Sequence, residues 1–127
     1  MDAPEYFPPV EPVGTLKLPF SEAVRVGSTL YLSGAIGVAG GALVPGGIAA
    51  ETHQALLNIR AVLERHGSSM DRVVKCTVML ADMDEWAAMN DAYLPHFPGH
   101  LPARSAFGTS GLALGSRVEI ECVATVE

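Results

Sequence analysis

At 127 residues the chain is long enough for one domain around one hydrophobic core, and a formal net charge of −6, from 14 acidic and 8 basic side chains, argues against a nucleic-acid partner. Apolar residues make up 49% of the chain and charged residues only 17%, against roughly 25% charged in ordinary soluble domains, which points to surface buried in an oligomer. No apolar run approaches the ~18 residues of a membrane span, and the start Met1-Asp2-Ala3-Pro4-Glu5 has neither the basic nor the apolar stretch of a secretion signal.

Residues 1–15 hold four of the nine prolines and little pattern; an extended or partly disordered arm is expected there, before a single domain over 16–127. Residues 21–26 and 29–33 read as strands joined by the two-residue turn Gly27-Ser28, a hairpin by turn chemistry. Residues 34–47 contain six glycines and read as a loop around a short strand near Leu43-Val44. A helix is expected over 48–66, with Ala55, Leu56, Ile59, Val62 and Leu63 on one apolar face and Gly67 to stop it. Residues 73–80 read as a strand with Val74, Cys76, Val78 and Leu80 on one face and Val73, Lys75, Thr77 and Met79 on the other. Asp84 can cap a second helix running to Leu94, ended by Pro95. Its stripe of Trp86, Met89 and Tyr93, continued by Phe97, reads as core. Residues 104–109 and 117–126 are the last two strands.

The order β-β-β-α-β-α-β-β predicts an α/β sandwich, a mixed sheet of about six strands with two helices on one face. The uncovered face carries Thr77, Met79, Val123 and Thr125 among its charges. It is too apolar to stay fully wet, so other subunits are expected to cover it.

Two elements suggest chemistry. Pro102-Ala103-Arg104-Ser105 delivers one arginine to the start of a strand, and Arg117-Val118-Glu119-Ile120-Glu121-Cys122 sets carboxylates on the polar face of the next. A guanidinium fork binds a carboxylate bidentately, and a glutamate beside it can hold or activate a water. Together they suggest a site for a small carboxylic acid that reacts with water. Other readings stay open from the residues alone. Arg104 fits a rim arginine after a proline turn, Glu119 a strand charge paired with Lys75 or set beside Arg117, and Ser33 a strand-end hydroxyl bonded to backbone. Glu121 reads as structural and Asn90 as a cap on a neighbouring loop, while Tyr31 and Phe107 adjoin the site elements as candidate pocket walls. Cys76 and Cys122 fall on apolar strand faces and read as buried free thiols of a reducing, cytoplasmic compartment. His96 and His100 flank Pro98-Gly99 with no third ligand evident, so no metal is expected.

Several stretches resemble the Rid family, also called the YjgF or reactive-intermediate deaminase family. They are Pro19-Phe20-Ser21-Glu22-Ala23-Val24-Arg25-Val26-Gly27, Leu30-Tyr31-Leu32-Ser33-Gly34, Gln54-Ala55-Leu56-Leu57-Asn58-Ile59, the run 67–78, the run 86–93, Pro102-Ala103-Arg104-Ser105 and Val118-Glu119-Ile120-Glu121. The similarity covers about residues 18 to 126. It implies an α+β, chorismate-mutase-like fold assembled as a homotrimer, with sites between subunits and no cofactor or metal. It implies hydrolysis of enamines or imines such as 2-aminoacrylate to 2-keto acids and ammonia. Arg104 would bind the substrate carboxylate, Glu119 would position water, and Ser33 would contribute to the pocket.

The chain departs from the deaminase pattern at three positions. Phe20 stands where many active members have tyrosine, Ala35 where glutamine is usual, and Ala106 where many have cysteine. Phe20 and Ala35 make the expected pocket wider and more apolar, which suits a bulkier imino acid. They also favour a second reading, a non-catalytic trimer that binds a small carboxylate or keto acid. An endoribonuclease, a label carried by some family members, finds neither a His pair nor a basic groove in the sequence, and a holdase has no residue-level sign.

Overall fold

The computed structural model describes residues 3–10 and 18–126. The sheet is built outward from the predicted hairpin. Gly27, at φ 58, reverses the chain in two residues, so that β2 (Ala23–Val26) pairs antiparallel with β3 (Thr29–Leu32). β9 (Val118–Thr125) lies antiparallel on β3, and β7 (Val73–Leu80) antiparallel on β9. At the far edge β8 (Ala103–Gly108) runs parallel to β7, which requires the helical crossover between them. With β1 (Glu5–Phe7) at the other edge, the strand order is β1-β2-β3-β9-β7-β8, the mixed sheet expected.

Within the arm expected to be extended or partly disordered, β1 is extended: Glu5–Phe7 pair with Ala23–Arg25 and form the outer strand. Three residues between Pro4 and Pro8 are too few for a period to show, and an edge tolerates flanking prolines. The Phe7 ring stacks on His66 at 4.0 Å. Residues 1–2 and 11–15 of the expected arm lie outside the described residues.

Helix α1 (Ile48–Arg65) buries Ala55, Leu56, Ile59 and Leu63 on the sheet. It ends where Gly67 turns to φ 80 and Ser68 N–H donates to the Leu63 carbonyl at 2.9 Å. Helix α2 (Trp86–Tyr93) packs beside it, with Met89, Tyr93 and the following Phe97 buried. Two details differ from expectation. Asp82, not Asp84, accepts the capping bond, from Asp84 N–H at 2.9 Å, and opens a short 3-10 turn ahead of α2. Trp86, read as core, is 43% exposed; it is the first residue of α2, at the end of its stripe.

The face assignment of β7 also changes at one end. Val73 is buried and Val74 exposed, because the β7–β9 register shifts between Val73 and Lys75. From Cys76 onward the expected alternation holds, with Cys76, Val78 and Leu80 in the core.

Residues 34–47 hold three short strands rather than one: β4 (Ala35–Ile36), β5 (Val38–Ala39) and β6 (Ala42–Leu43). β5 and β6 form a hairpin of their own, while β4 continues beside β9. Between the pairs Tyr31–Val123 and Ala35–Ile120 the β3–β4 segment has residues 32–34 where β9 has 121–122. That extra residue is a bulge, a device that re-aims side chains. The Asn58 amide of α1 donates to the carbonyls of Ile36 and Val38 at 3.0 and 2.9 Å and holds this segment against the helix.

Both helices cover one face. On the other, Tyr31, Val74 and Phe107 are close to half exposed, and Met79 and Val123 partly so. Among the described residues no helix is long and apolar enough to cross a membrane.

Candidate active site

Past the bulge, β2 no longer flanks the chain and β4 is the sheet edge. A cleft of about 380 Å³ opens there. One wall is Ser33, Gly34 and Ala35 with Glu119; the others include Phe20, Ile36, Val62 and Leu114. Four sequence candidates therefore meet, namely Phe20, Ser33, Ala35 and Glu119.

Glu119 rests on Gly34. A Cβ at Gly34 would collide with Glu119 Oε2, so only glycine lets the carboxylate settle against the backbone. Burial, with the charge of Glu121 second, pushes the Glu119 carboxyl above its ordinary value. Neither expected cation partner reaches it. Lys75 sits opposite Val123, four residues along β9. Arg117 is held by Glu85 at 2.7 Å.

Ser33 is tied to the backbone. Its hydroxyl donates to the Ser21 carbonyl at 2.6 Å, and its N–H to the Glu22 carbonyl at 3.1 Å. The oxygen lone pairs remain available to a donor. Behind it, the buried Glu22 accepts from Arg65 at 2.9 and 3.2 Å and faces His66 Nε2 at 2.7 Å. Burial raises the Glu22 carboxyl, but Arg65 and His66 outweigh it, and the net position lies below the ordinary value.

Arg104 is elsewhere. Its guanidinium carbon lies 4.9 Å from the Tyr93 ring centre and 5.9 Å from that of Trp86, a cation–π seat on α2. Asn90 lies between those two residues on the same helical face, and its buried Oδ1 has no hydrogen-bond partner among the described residues. Arg104 is in register with Cys76, and Cys76 with Cys122, so it shares their helix-covered face. Glu119 is three residues from Cys122 and points to the open face. One copy of the chain therefore does not bring Arg104 and Glu119 together.

Tyr31 and Phe107 are on the open face too, Phe107 in the row of Met79 and Glu119, Tyr31 in that of Val123; neither lines the cleft. Cys76 and Cys122 are buried free thiols with Sγ atoms 3.0 Å apart. A His pair that sequence spacing hid also appears: His53 Nδ1 and His96 Nε2 are 3.0 Å apart and join α1 to the turn after α2. It is exposed and lies outside the cleft. Among the described residues no group of three or more His, Cys, Asp or Glu side chains is placed to hold a metal ion.

The sequence model of the family described as endoribonuclease L-PSP matches residues 15–126. The chain is 46% identical over 108 residues to the mouse (Mus musculus) 2-iminobutanoate/2-iminopropanoate deaminase, covering 84% of this chain and 80% of that protein. Its fold superposes on a crystal structure of the conserved Rid protein family member YyfA from Yersinia pestis with a TM-score of 0.89, at 35% identity, covering 98% and 100% of the two chains. A crystal structure of RidA from the Antarctic bacterium Psychrobacter sp. PAMC 21119 gives a TM-score of 0.83 at 33% identity, covering 90% of this chain and 94% of that one.

Proposed function

The chain belongs to the YjgF/Rid family, and from that premise we propose that it is a deaminase that hydrolyses 2-imino acids, and their enamine tautomers of the 2-aminoacrylate type, to 2-keto acids and ammonia. The observation that carries this reading is Glu119, a cleft carboxylate without a cation partner among the described residues, raised by burial and seated on Gly34. Such a group can hold a water and take its proton at a pH where an exposed glutamate has lost the driving force to do so.

In this reading Arg104 and Glu119, which point in opposite directions in one copy, serve one site through a second copy. The open face of one subunit, with Glu119, Ser33 and Gly34, meets the β8 edge of the next, with Arg104, and closed repetition of that contact makes a homotrimer. Arg104, oriented by Tyr93 and Trp86, binds the substrate carboxylate as a fork. The imine carbon then faces the water on Glu119. With the imine in its protonated, iminium form, the water oxygen bonds to that carbon as Glu119 takes a water proton and the C=N electron pair passes to nitrogen, giving a neutral carbinolamine. Glu119 returns that proton to the nitrogen, the C–N bond breaks as an oxygen lone pair forms the keto C=O, and the hydroxyl proton passes to Glu119 as ammonia leaves. Water supplies the oxygen, so no redox step is involved. The imine hydrolyses unaided as well, so positioning and one proton acceptor suffice.

A second reading rests on Phe20 and Ala35, which leave the cleft without the hydroxyl and amide many active relatives carry. There the trimer binds a keto acid through Arg104 and turns nothing over. The net charge of −6 gives RNA no matching surface. To test the proposal, imines are generated in situ by an amino-acid oxidase or a lyase, and keto-acid formation is followed. Acceleration by wild type and none by Arg104→Ala supports it. Saturable keto-acid binding without acceleration replaces it with the binding protein.

A further inference from the structure

One side chain of the cleft has no part in that chemistry. Leu114 lines the cleft beside Phe20, and its backbone sits at φ 59, ψ 18. Among the described residues it alone, other than glycine, adopts a positive φ. A bulky L-residue resists this conformation, and it persists where the surroundings fix it. Here Gly115 N–H donates to the Leu112 carbonyl at 3.2 Å, and Ser116 N–H to the Ala113 carbonyl at 3.0 Å. The side chain so held stays out of the core. It is 52% exposed, and Phe20 is 47% exposed. Ile36, Val38 and Val62 continue this apolar lining, while Ser33 and Glu119 supply polar atoms in the same cavity. Exposed apolar side chains gathered around one cavity of about 380 Å³ suit an apolar group.

We propose that this cavity receives the substrate's own side chain: the chain favours 2-imino acids with a bulky apolar side chain, branched aliphatic or aromatic, over those with one or two side-chain carbons, and Leu114 with Phe20 sets that preference. This rests on the reading of the cleft as the site of imine hydrolysis. One methylene in an apolar pocket is worth ~10–200-fold in discrimination, so a change from methyl to isobutyl is ample to show it.

The test uses the full-length protein and imines made in situ by an L-amino-acid oxidase from alanine, leucine and phenylalanine, each rate taken over its spontaneous background. Wild type is expected to show kcat/KM at least ~10-fold higher on the leucine-derived imine than on the alanine-derived one. Leu114→Gly removes the side chain yet accepts the positive φ, so the turn keeps its shape, checked by circular dichroism. It is expected to lower the leucine-to-alanine ratio by ~10-fold, and Leu114→Met to restore most of it. A wild-type ratio of one or less, or a ratio unmoved by Leu114→Gly, overturns the inference while leaving the deaminase reading standing. No acceleration with any of the three imines overturns the reading itself and the inference with it.

Discussion

Arg104 and Glu119 point to opposite faces of one sheet: Arg104 shares a row with Cys76 and Cys122 on the helix-covered side, and Glu119, three residues from Cys122, faces the open side. A site that uses both must draw them from different copies. Arg104→Ala and Glu119→Gln should each lower kcat/KM by ~10²–10⁴-fold. Mixed after unfolding and refolding together, the two dead variants should regain roughly a quarter of wild-type activity, since a trimer of random composition pairs an intact arginine with an intact glutamate at about one contact in four. Mixtures as inactive as their components would place both residues in separate sites or in one chain.

The open face gives an independent check on assembly. Tyr31, Val74 and Phe107 are each nearly half exposed in a single copy, an apolar surface suited to a permanent contact. Light scattering at micromolar concentration should return about three times the 13.3 kDa chain mass. Phe107→Asp, which sets a charge in the row of Met79 and Glu119, should shift the protein toward monomer and abolish activity together. A monomeric wild type would remove the shared site.

Glu119 should also govern the acid limb of the pH profile. A proton acceptor works only when ionised, so kcat/KM falls as pH drops through its pKa. Burial and then Glu121 hold that value above the ordinary 4.5, so the limb is expected above 4.5. Glu121→Gln removes the lesser cause and should move the limb down without abolishing it. The sign for stability is the reverse of a salt-bridged carboxylate: the folded state holds this proton more tightly, so the group weakens folding as pH rises from 4.5 through its folded value. A limb that ignores Glu121→Gln would dissociate it from Glu119.

Gly34 tests the seat of that carboxylate. Gly34→Ala puts a methyl where Glu119 Oε2 lies, and the carboxylate must swing away. Activity should fall ~10²-fold, as a 1 Å misplacement does, while the melting temperature changes little, since the displaced group can move into the cleft. Equal loss of stability and activity would mean that the contact only holds the strand.

How much of this was readable beforehand follows from the range of each signal. The stripe of α1, the alternation of β9 and the turn at Gly27 depend on neighbours in sequence, and they appear in the fold as the pattern demands. The faces of Arg104 and Glu119 did not. Their relation is set by the parallel register Cys76–Arg104 and the antiparallel register Cys76–Cys122, two long-range choices that alternation leaves open. For the same reason the exposed Val74 lies past a register shift, and the His53–His96 contact spans residues far apart in the chain. Leu114 had a local sign, its position between Gly111 and Gly115, but nothing in the sequence turned its side chain toward the cleft.

Glu22 links the stability of the fold to the site. Its carbonyl accepts from Ser33 N–H, its N–H donates to the Phe7 carbonyl, and its carboxylate joins Arg65 and His66 at the end of α1. One residue thus ties β1, the cleft wall and the helix. Burial alone would raise its carboxyl, yet Arg65 and His66 hold it below 4.5. The stability it contributes is therefore full above 4.5 and lost as pH falls through the lowered folded value. Glu22→Gln removes the charge and should cost about 1–3 kcal/mol at pH 7, measured by urea unfolding. The gap between variant and wild type should close as pH falls below 4.5. If it stays constant at every pH down to the acid unfolding of the protein, the contribution of Glu22 is packing and not charge.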